Sequence, residues 1–172
     1  MELRVLLVDD EKLVRKSLEL LFPWKTYGMR VAGGASTGEE ALQWLARHEA
    51  EIVFVDLSMP VMDGFELLRM INLEYPAMVK AVLSCHAEVK YIQRTIGEGV
   101  AGYILKTDFD TDEIHRLLAR VRDMALRNQN RPLIRGLLAG CARAEWEAAA
   151  RPRNRGALAG GSAWCCWKAR VG

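Results

Sequence analysis

The chain lacks any hydrophobic run long enough to cross a bilayer, although 51% of its 172 residues are hydrophobic. A transmembrane helix needs about 20 consecutive apolar residues. Residues 1–4 lead directly into a strand pattern and do not resemble a signal peptide. We therefore expect a cytoplasmic protein without membrane contacts. Its 27% of charged residues is typical of soluble globular domains.

Cysteine and histidine are also scarce, with four and three residues respectively. The adjacent Cys165 and Cys166 do not form the spaced pairs of a zinc ribbon, and no histidine lies near them. Cys85 falls in a segment typical of a cytosolic domain, where thiols stay reduced. These patterns argue against a disulfide scaffold and a zinc site.

Acidic residues become rare after about residue 130. Residues 1–130 hold 16 Lys and Arg against 20 Asp and Glu, whereas residues 131–172 hold 8 against 2. We therefore place a domain boundary between Asn128 and Pro132, with a first domain over 1–128. Residues 129–172 are expected to form a connector and a basic tail that is either helical or disordered.

Strand and helix patterns alternate five times within the first domain. Short runs rich in branched residues, such as 5–8 and 52–55, are typical of buried parallel strands. The segments between them carry apolar residues at helical spacing, and Thr37 and Asp63 are placed to cap two of these helices. Five such units predict an α/β fold, with a five-stranded parallel sheet and helices on both faces.

Polar residues suited to phosphoryl chemistry follow three of these strands. Asp9 and Asp10 follow the first strand, Asp56 follows the third, and Lys106 follows residues 103–105. In an open α/β sheet, ligands bind at the carboxyl ends of the strands. Three converging carboxylates repel each other unless a cation joins them. The pattern therefore predicts a Mg²⁺ site with a fixed lysine beside it.

These residues belong to four motifs that resemble the receiver domain of two-component response regulators. The motifs are residues 8–11 (VDDE), 56–64 (DLSMPVMDG), 83–86 (LSCH) and 103–106 (YILK). Each motif is weak alone, but all four follow predicted strands in the family's order. The resemblance covers about residues 1–128 and implies a flavodoxin-like strand order of 2-1-3-4-5, for which the receiver fold is itself a standard example.

The resemblance implies that Asp56 accepts a phosphoryl group from a sensor histidine kinase. Mg²⁺ would be bound by Asp10 and Asp56, by Asp9 directly or through a water, and by the main-chain oxygen of Ser58. Lys106 would contact the phosphoryl group after transfer. Phosphorylation would then change a face formed by helix 4, strand 5 and helix 5, where such proteins form homodimers or contact their output.

Four further positions take their roles from the same resemblance. The hydroxyl of Ser84 would move to a phosphoryl oxygen, and Tyr103 would enter the space that Ser84 leaves. The alternatives are a turn-forming serine and a static tyrosine at the rim of the sheet. Ser58 and His86 would tune hydrolysis of the aspartyl phosphate, with an exposed polar side chain as the alternative for His86.

One position departs from the family pattern. The family commonly has proline after the lysine, with a cis bond between them, whereas Lys106 is followed by Thr107. A cis bond before a residue other than proline costs about 2.5–4 kcal/mol. The sequence leaves two possibilities, a strained cis bond or a trans bond that re-aims Lys106.

We expect a phosphorylation-controlled regulator of transcription and not a turnover enzyme. Residues 131–150 resemble the connector of regulators with an AraC-type DNA-binding domain, and DNA would be bound only through an output domain not evident in this chain. A degenerate receiver that acts as a scaffold is the alternative.

Two rival functions fit the sequence less well. A phosphatase with an aspartyl nucleophile would need a second acid two residues after Asp56, where Ser58 stands. A flavodoxin-like cofactor module would place Ser, Thr and Gly after the first strand, where Asp9 and Asp10 would repel a phosphate.

Overall fold

A central sheet of five parallel strands organises the protein in our computed structural model, which describes residues 2–85, 88–107 and 110–129. The strands run in the order β2-β1-β3-β4-β5, as predicted. Their bounds are β1 Leu3–Val8, β2 Met29–Ala35, β3 Ile52–Asp56, β4 Val79–Ser84 and β5 Gly102–Leu105. Every described pairing is parallel, so the carboxyl ends of all five strands lie on one edge.

Five α-helices connect and follow these strands. They are α1 Lys12–Leu21, α2 Gly38–Leu45, α3 Gly64–Glu74, α4 Val89–Gly97 and α5 Thr111–Gln129. A 3₁₀ helix, Trp24–Tyr27, lies between α1 and β2 and has no counterpart in the sequence prediction. Pro23 directly precedes this 3₁₀ helix, and Gly28 ends it in the left-handed conformation, at φ 64°.

The two faces of the sheet bury separate hydrophobic clusters. Leu18 of α1 and the apolar stripe of α5, including Leu117 and Leu118, cover one face. Side chains of α2 and α3, including Leu42 and Leu68, cover the other. This arrangement places β1, β3 and β4 in the middle of the core, and their buried final residues, Val8, Asp56 and Ser84, lie along one shared edge of the sheet.

Helix α3 begins immediately after the loop that follows Asp56. Asp63 caps this helix, since its Oδ1 accepts from the Glu66 N–H at 2.7 Å. Gly64 allows the loop to close, because a Cβ there would lie 2.2 Å from the main-chain oxygen of Asp56. Local turn chemistry therefore determines how the chain leaves the site.

The cap of α2 differs in one detail from a capping box, in which the acid three residues after the cap bonds back to the N–H of the capping residue. Thr37 Oγ1 accepts from the Glu40 N–H at 3.1 Å, as predicted. The Glu40 carboxylate, however, accepts from the Ser36 N–H at 2.6 Å and does not close the box on Thr37.

No described helix is both long and apolar enough to span a membrane. His86 and the extension from residue 130 onward lie outside the described residues. The expectations for them therefore stay predictions.

Candidate phosphoryl-acceptor site

Two consecutive carboxylates follow β1. Asp9 is buried and Asp10 is exposed. The Asp9 N–H donates to the Ala35 carbonyl at 3.1 Å, and its Oδ1 accepts from the Glu11 N–H at 3.0 Å. The main chain around Asp9 is thus held by the end of β2, and its side chain is oriented by the first residues beyond the strand.

Asp56 is the last residue of β3 and lies between β1 and β4 at the centre of the sheet. Its side chain is buried, and Oδ1 accepts from the Ser58 N–H at 3.3 Å. One carboxylate oxygen each from Asp9, Asp10 and Asp56 lies within 4.8 Å of the others. The structure therefore brings together the three acids that the sequence placed on two separate strands.

Lys106 reaches into this cluster from the residue after β5. Its Nζ lies 2.7 Å from Asp56 Oδ2 and 2.6 Å from Asp9 Oδ2. The Lys106 N–H donates to the Ser84 carbonyl at 2.9 Å, which fixes its main chain beside β4. The bond to Thr107 is trans, so a trans loop delivers the lysine to both acids.

Burial and pairing act in opposite directions on these groups. Burial raises the pKa of Asp56, and its hydrogen bond to Lys106 offsets only part of that rise. Burial alone would lower the pKa of Lys106, but its hydrogen bond to Asp56 and its ion pairs with Asp56 and Asp9 together outweigh burial and raise it. The lysine therefore stays charged, whereas the Asp56 carboxylate is held in an environment that lacks sufficient positive charge.

The unsatisfied charge suits a divalent cation. Asp9 Oδ2 is buried and has no donor in hydrogen-bond geometry within the described part of the chain, despite the ion pair with Lys106. Carboxylate oxygens are the ligands that Mg²⁺ prefers. Asp9, Asp10 and Asp56 thus fit as the residues that would hold Mg²⁺, which would supply positive charge to the phosphoryl oxygens.

Comparison with known proteins agrees with this geometry. The family model described as the response regulator receiver domain matches residues 5–119. The chain belongs to the response regulator receiver family. It is 33% identical to the receiver domain of AraT from Geobacillus stearothermophilus, with a TM-score of 0.68 over 75% of this chain and 99% of that one.

Relatives of this receiver include longer regulators. It is 32% identical over 103 residues to the uncharacterized transcriptional regulatory protein YesN of Bacillus subtilis, which covers 60% of this chain and 28% of YesN. It is 30% identical over 127 residues to the transcriptional regulatory protein HptR of Staphylococcus aureus, which covers 74% of this chain and 49% of HptR. The chain thus spans half or less of the length of these relatives.

The two predicted switch residues of the receiver contact each other. Ser84 is the fully buried last residue of β4, and Tyr103 is half-buried on the neighbouring β5. Burial raises the pKa of Tyr103, and a side-chain hydrogen bond with Ser84 opposes that rise. The Ser84 hydroxyl therefore lies within reach of the Tyr103 side chain.

One residue near the receiver site was missed by sequence reasoning. The guanidinium of Arg15, on α1, donates from a terminal nitrogen to the main-chain carbonyl of Asp9. An arginine six residues after an aspartate is not a recognisable sequence motif, because exposed arginines are common on such helices. Only a helical-wheel comparison of α1 could have placed Arg15 toward the sheet.

Proposed function

We propose that this receiver accepts a phosphoryl group on Asp56 from a sensor histidine kinase in the presence of Mg²⁺. The observation that carries the proposal is the contact of one lysine ammonium with two buried carboxylates, at 2.6 and 2.7 Å. This arrangement places the Asp56 carboxylate, as the nucleophile, and the Lys106 ammonium where both can contact the same phosphoryl group.

Each residue has a role in the transfer. A carboxylate oxygen of Asp56 forms the new O–P bond as the N–P bond of the phosphohistidine donor breaks. Asp9, Asp10 and Asp56, with the main-chain oxygen of Ser58, would bind Mg²⁺. Lys106 then exchanges its carboxylate partners in part for a phosphoryl oxygen, a charge-assisted contact of similar geometry.

The phosphorylated state is read out through Ser84 and Tyr103. An aspartyl phosphate adds negative charge and strong acceptor oxygens at the end of β3. Ser84 would move to donate to one of these oxygens, and Tyr103, which contacts Ser84 in this structure, would enter the space that Ser84 leaves. The change at the site is thereby transmitted to β5.

Helix α4 is suited to follow that change because apolar packing holds it weakly. Among its side chains that the structure describes, Thr95 alone is buried. Arg94 lies over the Phe65 ring at 3.9 Å, and Tyr91 stacks near the same ring. We infer that the face formed by α4, β5 and α5 changes on phosphorylation and supports a homodimer.

The output that we propose is control of transcription in the cytoplasm. YesN and HptR are named as transcriptional regulatory proteins, and DNA would be bound through an output domain of the kind these longer regulators suggest. The AraC-type output remains our proposal from the sequence of residues 131–150. A scaffold receiver that is never phosphorylated is the alternative.

Intact-mass measurement tests the acceptor directly. We expect one phosphoryl adduct after incubation with acetyl phosphate and Mg²⁺, and no adduct on Asp56→Asn. Asp123→Asn, which changes an exposed carboxylate on α5, is the matched control and should be phosphorylated normally. Loss of the adduct on chelation of Mg²⁺ and a shift toward dimer in sedimentation would support the switch. A folded wild-type protein with no adduct would favour the scaffold.

A further inference from the structure

We propose that Arg15 is a positioning residue that holds the main chain of Asp9 in place for binding Mg²⁺. This inference rests on the proposed function, because it concerns the same metal site. Arg15 is a half-buried residue of α1, and its guanidinium donates to the Asp9 carbonyl. It would act through Asp9, without touching the metal or the phosphoryl group.

The side chain of Arg15 passes over Gly34 of β2 on its way to Asp9. A Cβ on Gly34 would lie 3.4 Å from both Cδ and Nε of Arg15, which is an ordinary van der Waals distance. The end of the aliphatic part of Arg15 therefore lies directly against the edge strand. The guanidinium is thereby directed toward the loop after β1 while the stem stays packed.

Arg15 completes a set of four contacts that hold Asp9. The Asp9 N–H donates to Ala35, Oδ1 accepts from Glu11, and Oδ2 pairs with Lys106. Three of these contacts come from the end of β2, the loop after β1 and the residue after β5, and Arg15 adds the contact from α1. The Asp9 carbonyl is thus occupied by a donor, which leaves the side chain as the part of Asp9 that would bind the cation.

Magnesium binding should be sensitive to this arrangement. Mg²⁺ demands nearly ideal octahedral geometry with ligand distances of about 2.0–2.1 Å. Removing a residue that hydrogen-bonds to a metal ligand, without touching the metal itself, typically weakens metal binding by about 10–100-fold. Loss of the Arg15 contact would let the Asp9 main chain shift, and the Asp9 and Asp10 carboxylates would then need to be ordered during binding.

The direction in which Mg²⁺ affinity changes when Arg15 is removed distinguishes a positioning role from a purely electrostatic one. Removing a positive charge near a cation site reduces repulsion and should strengthen Mg²⁺ binding if charge alone matters. A positioning role predicts the opposite result. Lys16, an exposed cation one residue further along α1, provides the matched control because its removal changes the net charge by the same amount.

We would measure Mg²⁺ binding by calorimetry for the wild-type protein, Arg15→Met and Lys16→Met. We expect about tenfold weaker binding for Arg15→Met, with Lys16→Met unchanged or slightly tighter, and partial recovery in Arg15→Lys. Arg15→Met binding as tightly as Lys16→Met would overturn the inference. Arg15→Gln serves as a second variant that removes the guanidinium if the methionine variant does not fold.

Amide hydrogen exchange without metal gives a second readout. In Arg15→Met the amides of Asp9 and Glu11 should exchange faster, while amides in the middle of β3 and β4 should not change. Uniform acceleration across the sheet would indicate a general loss of stability and would contradict positioning. If the wild-type protein itself neither binds Mg²⁺ nor forms the adduct, the proposed function fails, which is distinct from failure of the Arg15 role alone.

Discussion

Replacing Lys106 by methionine should destabilise the metal-free protein at neutral pH, because it leaves two buried carboxylates without their cation. The side chains of Lys106, Asp9 and Asp56 are only 7%, 2% and 5% exposed. Water can therefore replace the lysine only in part. Methionine keeps a similar length and packing, so the change isolates the lost charge and hydrogen bonds.

The size of the effect follows from the short contacts. Opposite unit charges 2.7 Å apart attract by roughly 6 kcal/mol at an effective dielectric constant of about 20, before desolvation is subtracted. Removing one partner of a buried pair typically costs about 3–5 kcal/mol. We expect a value at the low end of this range, about 3 kcal/mol in the free energy of unfolding, because solvent can approach the site from the side where Asp10 is exposed. The corresponding fall in Tm is roughly 10 °C.

The pH dependence has a definite sign. Burial already raises the pKa of Asp56 in the folded protein, so ionisation of this carboxyl costs stability as pH rises through its unfolded value toward the folded one. Without Lys106 the pKa of Asp56 should rise further. The difference between Lys106→Met and the wild-type protein should therefore be largest near pH 7 and shrink below about pH 4.

Chemical denaturation of the wild-type protein, Lys106→Met, Asp56→Asn and the double variant measures the Lys106–Asp56 interaction as a double-mutant cycle. The methionine change should cost about 1–2 kcal/mol less in an Asp56→Asn background, since one of the two stranded carboxylates is then neutral. Added Mg²⁺ should restore stability to Lys106→Met, because the cation supplies the missing charge. Equal costs in both backgrounds, within about 0.5 kcal/mol, would refute the argument.

Two further changes probe the loop after Asp56. Val61 is 79% exposed and has φ 72°, a conformation that a β-branched residue adopts at a cost of about 1–2 kcal/mol. Val61→Gly should therefore raise the free energy of unfolding by about 0.5–1 kcal/mol, because the relief of strain exceeds the entropy that glycine loses on folding. Val61→Ala should give a smaller gain in thermal unfolding. No gain in either variant would show that Val61 is not strained. Gly64→Ala should cost about 3 kcal/mol and reduce phosphoryl adduct formation, because the new Cβ would meet the Asp56 carbonyl at 2.2 Å, and a variant as stable as the wild type would contradict that packing.

Much of the fold could be read from the chain because its causes are local. Short apolar runs that alternate with helical patterns indicated all five strands. The Asp63 cap and the glycine that follows it are short-range features with few alternative conformations. The 3₁₀ helix after Pro23 was missed because a single turn carries no periodic pattern.

Lys80 is a buried lysine whose partners could not be predicted from local sequence patterns. Lys80 lies within β4 and is 7% exposed, and its ammonium donates to Asn72 on α3. Asn72 in turn donates to the main-chain oxygen of Glu98 at 3.1 Å. A strand pattern predicts that residue 80 faces one side of the sheet. It does not reveal that α3 and the end of α4 supply the partners that make burial of its charge tolerable.

The sequence by itself determined the types of the elements and the placement of Asp9, Asp10, Asp56 and Lys106 at strand ends, because strand period and polarity are written along the chain. Tertiary structure alone decided that one ammonium contacts two of these acids, that Ser84 engages Tyr103, and that Arg15 reaches the Asp9 carbonyl. Those contacts join residues from different strands and helices. Their geometry depends on strand register, helix rotation and burial, which emerge only when the sheet and its two hydrophobic faces pack together.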